Sequence, residues 1–138
     1  MKKIFYILFL TSLLSGCAST YRQNGLDATE SSKIAVIESP PCESFQCILI
    51  QEVDGKWRGI GWIQRYELIP GKRTLKISFN SPGVRSATAL LVEFSATAGH
   101  TYTVRTNQNY STMKWEPQII DKNTKEVASK IIGSSIAY

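Results

Sequence analysis

Lys72-Arg73-Thr74-Leu75-Lys76-Ile77-Ser78-Phe79 is the stretch that decides the fold class. Leu75, Ile77 and Phe79 share one parity, while Lys72, Thr74, Lys76 and Ser78 share the other. That is the period-2 signature of a strand with one face in a core and the other toward water. Turn clusters bracket it: Pro70-Gly71 before, Asn80-Ser81-Pro82-Gly83 after.

Upstream, the same punctuation recurs. Ile34-Ala35-Val36-Ile37 is a short β-branched run bounded by Ser32 and by Ser39-Pro40-Pro41. Phe45 to Val53 reads as a second strand, closed by Asp54-Gly55, a favoured two-residue hairpin turn. Lys56 to Ile63 is the expected return strand, with Gly59 and Gly61 marking a bulge or a close backbone approach. Tyr66 to Ile69 follows. Downstream, Leu90, Val92 and Phe94 alternate with Ala89, Leu91 and Glu93 in a strand from Val84 to Phe94. Ala98-Gly99-His100 turns the chain into Thr101 to Thr106, where Tyr102 and Val104 are the expected inward pair. Met113 to Ile120 carries Trp115 and Ile119, and Pro117 assigns it to an edge or a bulge. Asp121 to Thr124 is a last turn before Glu126 to Ile132; only Lys122 to Ile131 offers a competing short helix. About eight short strands with turns every 8 to 12 residues predict an all-β sandwich or barrel.

The N-terminus has a different character. Met1-Lys2-Lys3 is followed by the apolar run Ile4 to Leu14 and then by Ser15-Gly16-Cys17. Eleven residues span about 16 Å as a helix, roughly half a hydrocarbon core. A positive start, a short apolar run and small residues before the cysteine make a secretory leader. Leu14, Ser15, Gly16 and Cys17 resemble the lipobox of bacterial lipoproteins. The resemblance implies cleavage after Gly16, a thioether-linked lipid on Cys17 and acylation of its new amine, which together make a lasting membrane anchor. An ordinary signal peptide with a chance cysteine is the alternative. Ala18 points to the outer membrane by the sorting rule of Gram-negative hosts, with the domain in the periplasm. The expected organisation is a leader over 1–16, a lipidated N-terminus and flexible tether over 17–32, and one β-sandwich domain over 33–138.

Removing the leader leaves 122 of 138 residues and lowers the formal net charge from +5 to +3, so overall basicity identifies no partner. Distribution says more. Lys56, Arg58, Arg65, Lys72, Arg73, Lys76 and Arg85 stand against Asp54 and Glu67 between positions 54 and 85, whereas residues 17 to 53 are acidic. Three cysteines are an odd count for an exported chain. With Cys17 taken by lipid, Cys42 and Cys47 remain as a pair in an oxidising compartment. A structural disulfide is expected there, two reduced thiols being the alternative. No second cysteine pair and a single histidine argue against a metal site.

Val53-Asp54-Gly55, Tyr66 to Gly71, Lys72 to Ile77 and Ala98-Gly99-His100-Thr101-Tyr102 occur in an order similar to the PEGA-like, transthyretin-like β-sandwich modules of bacterial envelope proteins. The likeness spans roughly residues 48 to 106. It implies a small antiparallel sandwich in an envelope setting and names no ligand.

No catalytic constellation is legible. His100 follows Gly99 in a turn and reads as a solvated loop residue. The carboxylates show no pairing signal, and Gly59-Ile60-Gly61 lacks the helix that would make it a nucleotide motif. Trp57, Trp62 and Tyr66 interleave with Lys56, Arg58 and Arg65, a pattern suited to a sugar shelf, although tryptophans in so small a domain are ordinarily needed for burial. Lys72, Arg73 and Lys76 extend this basic face, which could meet anionic headgroups or peptidoglycan carboxylates. Two functions are expected from this. One is a non-catalytic lipoprotein that serves as a binding or scaffold module for an envelope protein or the cell wall. The other is a glycan-binding or weakly hydrolytic protein using Trp57 to Arg65. Neither needs a cofactor beyond the covalent lipid on Cys17, and nucleic acid is not an expected partner in that compartment.

Overall fold

The computed structural model describes residues 19–27, 30–42, 47–81, 84–86, 88–109, 111–112 and 114–136. The leader, the motif Leu14 to Cys17 and Ala18 lie outside them. The described strands are β1 (Ser19–Arg22), β2 (Ala35–Glu38), β3 (Cys47–Val53), β4 (Lys56–Trp57), β5 (Ile63–Leu68), β6 (Gly71–Ser81), β7 (Val84–Arg85), β8 (Thr88–Ala96), β9 (Thr101–Asn109), β10 (Lys114–Asp121) and β11 (Ser129–Ile136). They form a β-sandwich. One sheet runs β1-β5-β2-β9-β10; the other runs β11-β8-β6-β3-β4, with β7 added against β6.

The alternation in β6 places Leu75, Ile77 and Phe79 in the core as expected. Leu75 and Ile77 join Ile50 and Val53 of β3 and Val92 and Phe94 of β8, and meet Ala35, Ile37, Tyr66, Leu68, Tyr102, Val104 and Ile119 of the opposite sheet. Aromatic pairs pin the two layers. Phe94 and Tyr102 meet edge-on with centroids 5.2 Å apart, and Phe79 faces Trp115 at 5.9 Å. Trp115 is therefore spent on packing, and its strand β10 is an edge, as Pro117 predicts.

Four expectations need correcting. The opposite face of β6 is not all toward water: Lys76 is only 4% exposed and Ser78 is buried. The reason is position, since β6 is central in its sheet and Lys76 lies in register with Glu52 on one side and Leu91 on the other. The sandwich is also not purely antiparallel. β2 pairs in parallel with β9, and β1 in parallel with β5. Placed centrally, β2 is covered on both faces, which is why Ile34 to Ile37 is continuously apolar and not alternating. The return strand after Asp54-Gly55 shrinks to two residues, because Gly59 and Gly61 adopt φ of 96° and 101° and lead the chain away from β3.

The fourth correction concerns the expected tether, which contributes β1. Backbone pairing to β5, the Arg22–Glu67 ion pair at 2.7 Å and the Tyr21–Tyr66 ring contact at 5.6 Å supply what its own sequence lacks. The competing helix over Lys122 to Ile131 does not form. Asp121 Oδ1 accepts the N–H groups of Asn123 and Thr124 in a tight turn, and Ser129 then opens β11.

Candidate functional site

Local geometry divides the basic and aromatic residues between 54 and 76 into two regions with different chemistry. The first is a polar knot at one end of the sandwich. Asp54 and Gly55 take φ of 50° and 72°, the left-handed pair that a two-residue hairpin requires. That conformation turns the Asp54 carboxylate toward β6. There Oδ1 accepts the Thr74 N–H at 2.8 Å, and Oδ2 accepts Arg73 Nη1 at 2.6 Å and Gln23 Nε2 at 2.8 Å. Arg73 also donates to the carbonyls of Ile69 and Pro70, at 2.8 and 3.2 Å, and Gln23 Oε1 accepts the Ile69 N–H at 3.0 Å. Burial alone would raise the Asp54 carboxyl; the Thr74 and Arg73 hydrogen bonds, the Arg73 charge and the Gln23 amide outweigh it and hold it below the usual carboxylate range.

The same neutralisation recurs along the basic run. Arg65 pairs with Glu67 at 3.2 Å, Lys72 with Glu93 at 2.8 Å and Lys76 with Glu52 at 3.2 Å. Glu67 sits between Arg22 and Arg65, whose hydrogen bonds and charges overcome burial and lower its carboxyl. Glu93 is lowered in turn by hydrogen bonds from Lys72 and Lys130. Arg65, Lys72, Arg73 and Lys76 therefore do not form the single basic face expected of them. Arg65 lies on one sheet, the other three on the second, and each carries an acidic partner. Lys76 does border a shallow groove of about 320 Å³, lined also by Glu52, Gly55, Thr74, Leu91 and Ser135.

The second region is the connection from β4 to β5. Trp57 is 63% exposed, Ile60 91% and Trp62 38%, against the expectation that the tryptophans serve the core. Gly59 and Gly61 permit the reversals, and an added Cβ at either would meet nothing within 4 Å, so the glycines serve conformation and not clearance. Arg58 braces the loop from within: its N–H reaches the Gln51 carbonyl at 3.2 Å and its Nη1 the Gly61 carbonyl at 2.6 Å. Lys56 is exposed beside Trp57. Ser19 Oγ donates to the Trp62 carbonyl, fastening the start of β1 to the end of this loop.

His100 is not a free loop residue. Its Nδ1 lies 2.7 Å from Asp121 Oδ2. Burial would raise the Asp121 carboxyl, but hydrogen bonds from His100, Asn123 and Thr124 and the His100 charge lower it. The pair stitches the turn before β9 to the end of β10. No group of three His, Cys, Asp or Glu side chains suited to a metal occurs among the described residues.

Sequence reasoning found Trp57, Trp62 and the flanking cations, but missed Gln23, the exposure of Ile60 and the roles of Asp54 and Ser19. Only the positive-φ potential of Asp54-Gly55 hinted at the knot. Cys42 and Cys47 form the expected disulfide, with Cα atoms 4.6 Å apart. Among the described residues no helix is long and apolar enough to cross a membrane. Comparison with protein-family models, curated proteins and solved structures gives no match.

Proposed function

We propose that this protein is a membrane-anchored envelope lipoprotein of the PEGA-like sandwich type, non-catalytic, acting as a binding or scaffold module for a protein partner or the cell wall. The observation that carries the proposal is the order Leu14-Ser15-Gly16-Cys17 at the end of a short apolar leader. Supporting it, the Cys42–Cys47 disulfide suits an oxidising compartment. The two turns of the resemblance, Val53-Asp54-Gly55 and Pro70-Gly71, meet in one knot through Arg73. Ala18 assigns the anchor to the outer membrane of a Gram-negative host, with the sandwich on the periplasmic side.

The test is metabolic labelling with palmitate. Wild-type protein takes up label and is cleaved after Gly16, whereas Cys17→Ser loses both; label on the variant would overturn the anchor. Crosslinking from Lys56 or Lys72 in intact cells then reads out the partner, and no adduct from either position would count against a scaffold role.

The exposure of Trp57 and Trp62 favours a second reading, in which the loop binds envelope glycans. Arg65 no longer belongs to such a shelf, since it lies on β5 and pairs with Glu67. Titration of tryptophan emission with peptidoglycan fragments tests this reading, and a flat response removes it.

A further inference from the structure

Ile60 is the most exposed of the large apolar side chains described, and it stands between Trp57 and Trp62 on a loop whose backbone is braced by Arg58 and shaped by two positive-φ glycines. A loop held in that shape for the sake of the fold would turn its apolar groups inward. This one turns them out, with Lys56 and Arg58 beside them. Two tryptophans, an aliphatic tip and flanking cations are the side chains that settle at the boundary between acyl chains and anionic headgroups.

Its place in the chain indicates which surface it meets. Ser19 pairs with Ile63 at the start of β5 and hydrogen-bonds the Trp62 carbonyl. Cys17 precedes Ser19 by two positions, so covalent geometry keeps their Cα atoms within about 7 Å of each other. A lipid on Cys17 is therefore tethered only two residues from the serine that hydrogen-bonds the Trp62 carbonyl.

We infer that the Trp57–Trp62 loop is a membrane-docking element that enters the anionic lipid interface next to the anchor and holds the sandwich against the bilayer. The inference rests on the lipid anchor proposed above and adds an orientation to it. A lipid surface accounts better than a sugar for an aliphatic residue at the tip. Arg58, which a glycan shelf would use as a donor, already spends a guanidinium N–H on Gly61. The groove beside Lys76 and the His100–Asp121 pair are both distant in the chain from the anchor.

The mature lipidated protein, reconstituted in vesicles of phosphatidylethanolamine and phosphatidylglycerol, provides the test. With brominated acyl chains its tryptophan emission is quenched. Ile60→Asp, at a side chain 91% exposed, should cut that quenching about twofold or more, and Trp57→Phe should remove a share of it. An unchanged circular dichroism spectrum confirms that Ile60→Asp is folded. Labelled, vesicle-bound protein whose emission ignores brominated lipid, or whose Ile60→Asp variant is quenched as strongly as wild type, overturns the docking loop and leaves the anchor standing. A response to soluble peptidoglycan fragments in place of brominated lipid assigns the loop to glycan and overturns it equally. Absence of lipid on Cys17 removes the anchor and this inference together.

Discussion

Arg73 Nη1 lies 2.6 Å from Asp54 Oδ2, joining the hairpin turn after β3 to the first residues of β6. The same guanidinium reaches the carbonyls of Ile69 and Pro70, so one planar fork closes three segments at that end of the sandwich. These cations do structural work here, whereas the loop from Trp57 to Trp62 holds Trp57 and Ile60 out toward solvent.

A lysine cannot reproduce that fork. Arg73→Lys should keep the charge, leave carbonyl oxygens unserved and lower stability by about 1–2 kcal/mol. Asp54→Ala loses the acceptor for Arg73, Gln23 and Thr74 and should cost about 2–3 kcal/mol. Urea unfolding midpoints check both, and an Arg73→Lys midpoint equal to wild type would remove the fork from the account.

Acid should weaken the fold through Asp54, Glu67 and Asp121. Each is held below its ordinary value, 3.8 for the aspartates and 4.5 for the glutamate. On acidification the unfolded chain therefore takes up protons before the folded one. The stabilisation is complete above those ordinary values and is lost as pH falls through the lower folded ones. Unfolding free energy measured from about pH 6 down to about pH 3 should decline, and Asp54→Asn should make the decline shallower. An unchanged slope in the variant would exclude Asp54 from the effect.

Alkali acts through a different residue. Burial pushes the Tyr66 phenol up to about 12 from 10.0, with Arg58 opposing and Tyr21 adding to the rise. The folded state keeps its proton where the unfolded chain has lost it, so the contribution is whole below pH 10 and disappears as pH rises toward about 12. Tyr66→Phe should remove that alkaline loss. Denaturant titrations on either side of pH 10 distinguish the two, and identical pH profiles would show that another group is responsible.

The Cys42–Cys47 bridge closes a short loop ahead of β3. Its removal in a Cys42→Ser/Cys47→Ser variant should cost at most about 2 kcal/mol by loop entropy, with the sandwich still folded. Mass spectrometry of the non-reduced protein isolated from cells should find the bond. Full alkylation of both thiols without reductant would show that it is not formed in the cell.

The strand character of β6, the hairpin at Asp54-Gly55, the edge position of Pro117 and the pairing of Cys42 with Cys47 were legible because each depends on neighbours a few positions away. Alternation, positive φ and a missing N–H are local properties. The rest depends on partners remote in the chain. Gln23 reaches Asp54 across 31 positions and Ser19 reaches Trp62 across 43, so a polar stretch with no period of its own becomes strand β1 only when β5 is beside it. Lys76 reads as a water-facing residue until β3 and β8 flank it. Trp57 reads as core until Gly59 and Gly61 carry the chain out of the sheet. Composition states how much apolar surface the chain has to bury; which tryptophan remains outside follows from the packing of the two sheets.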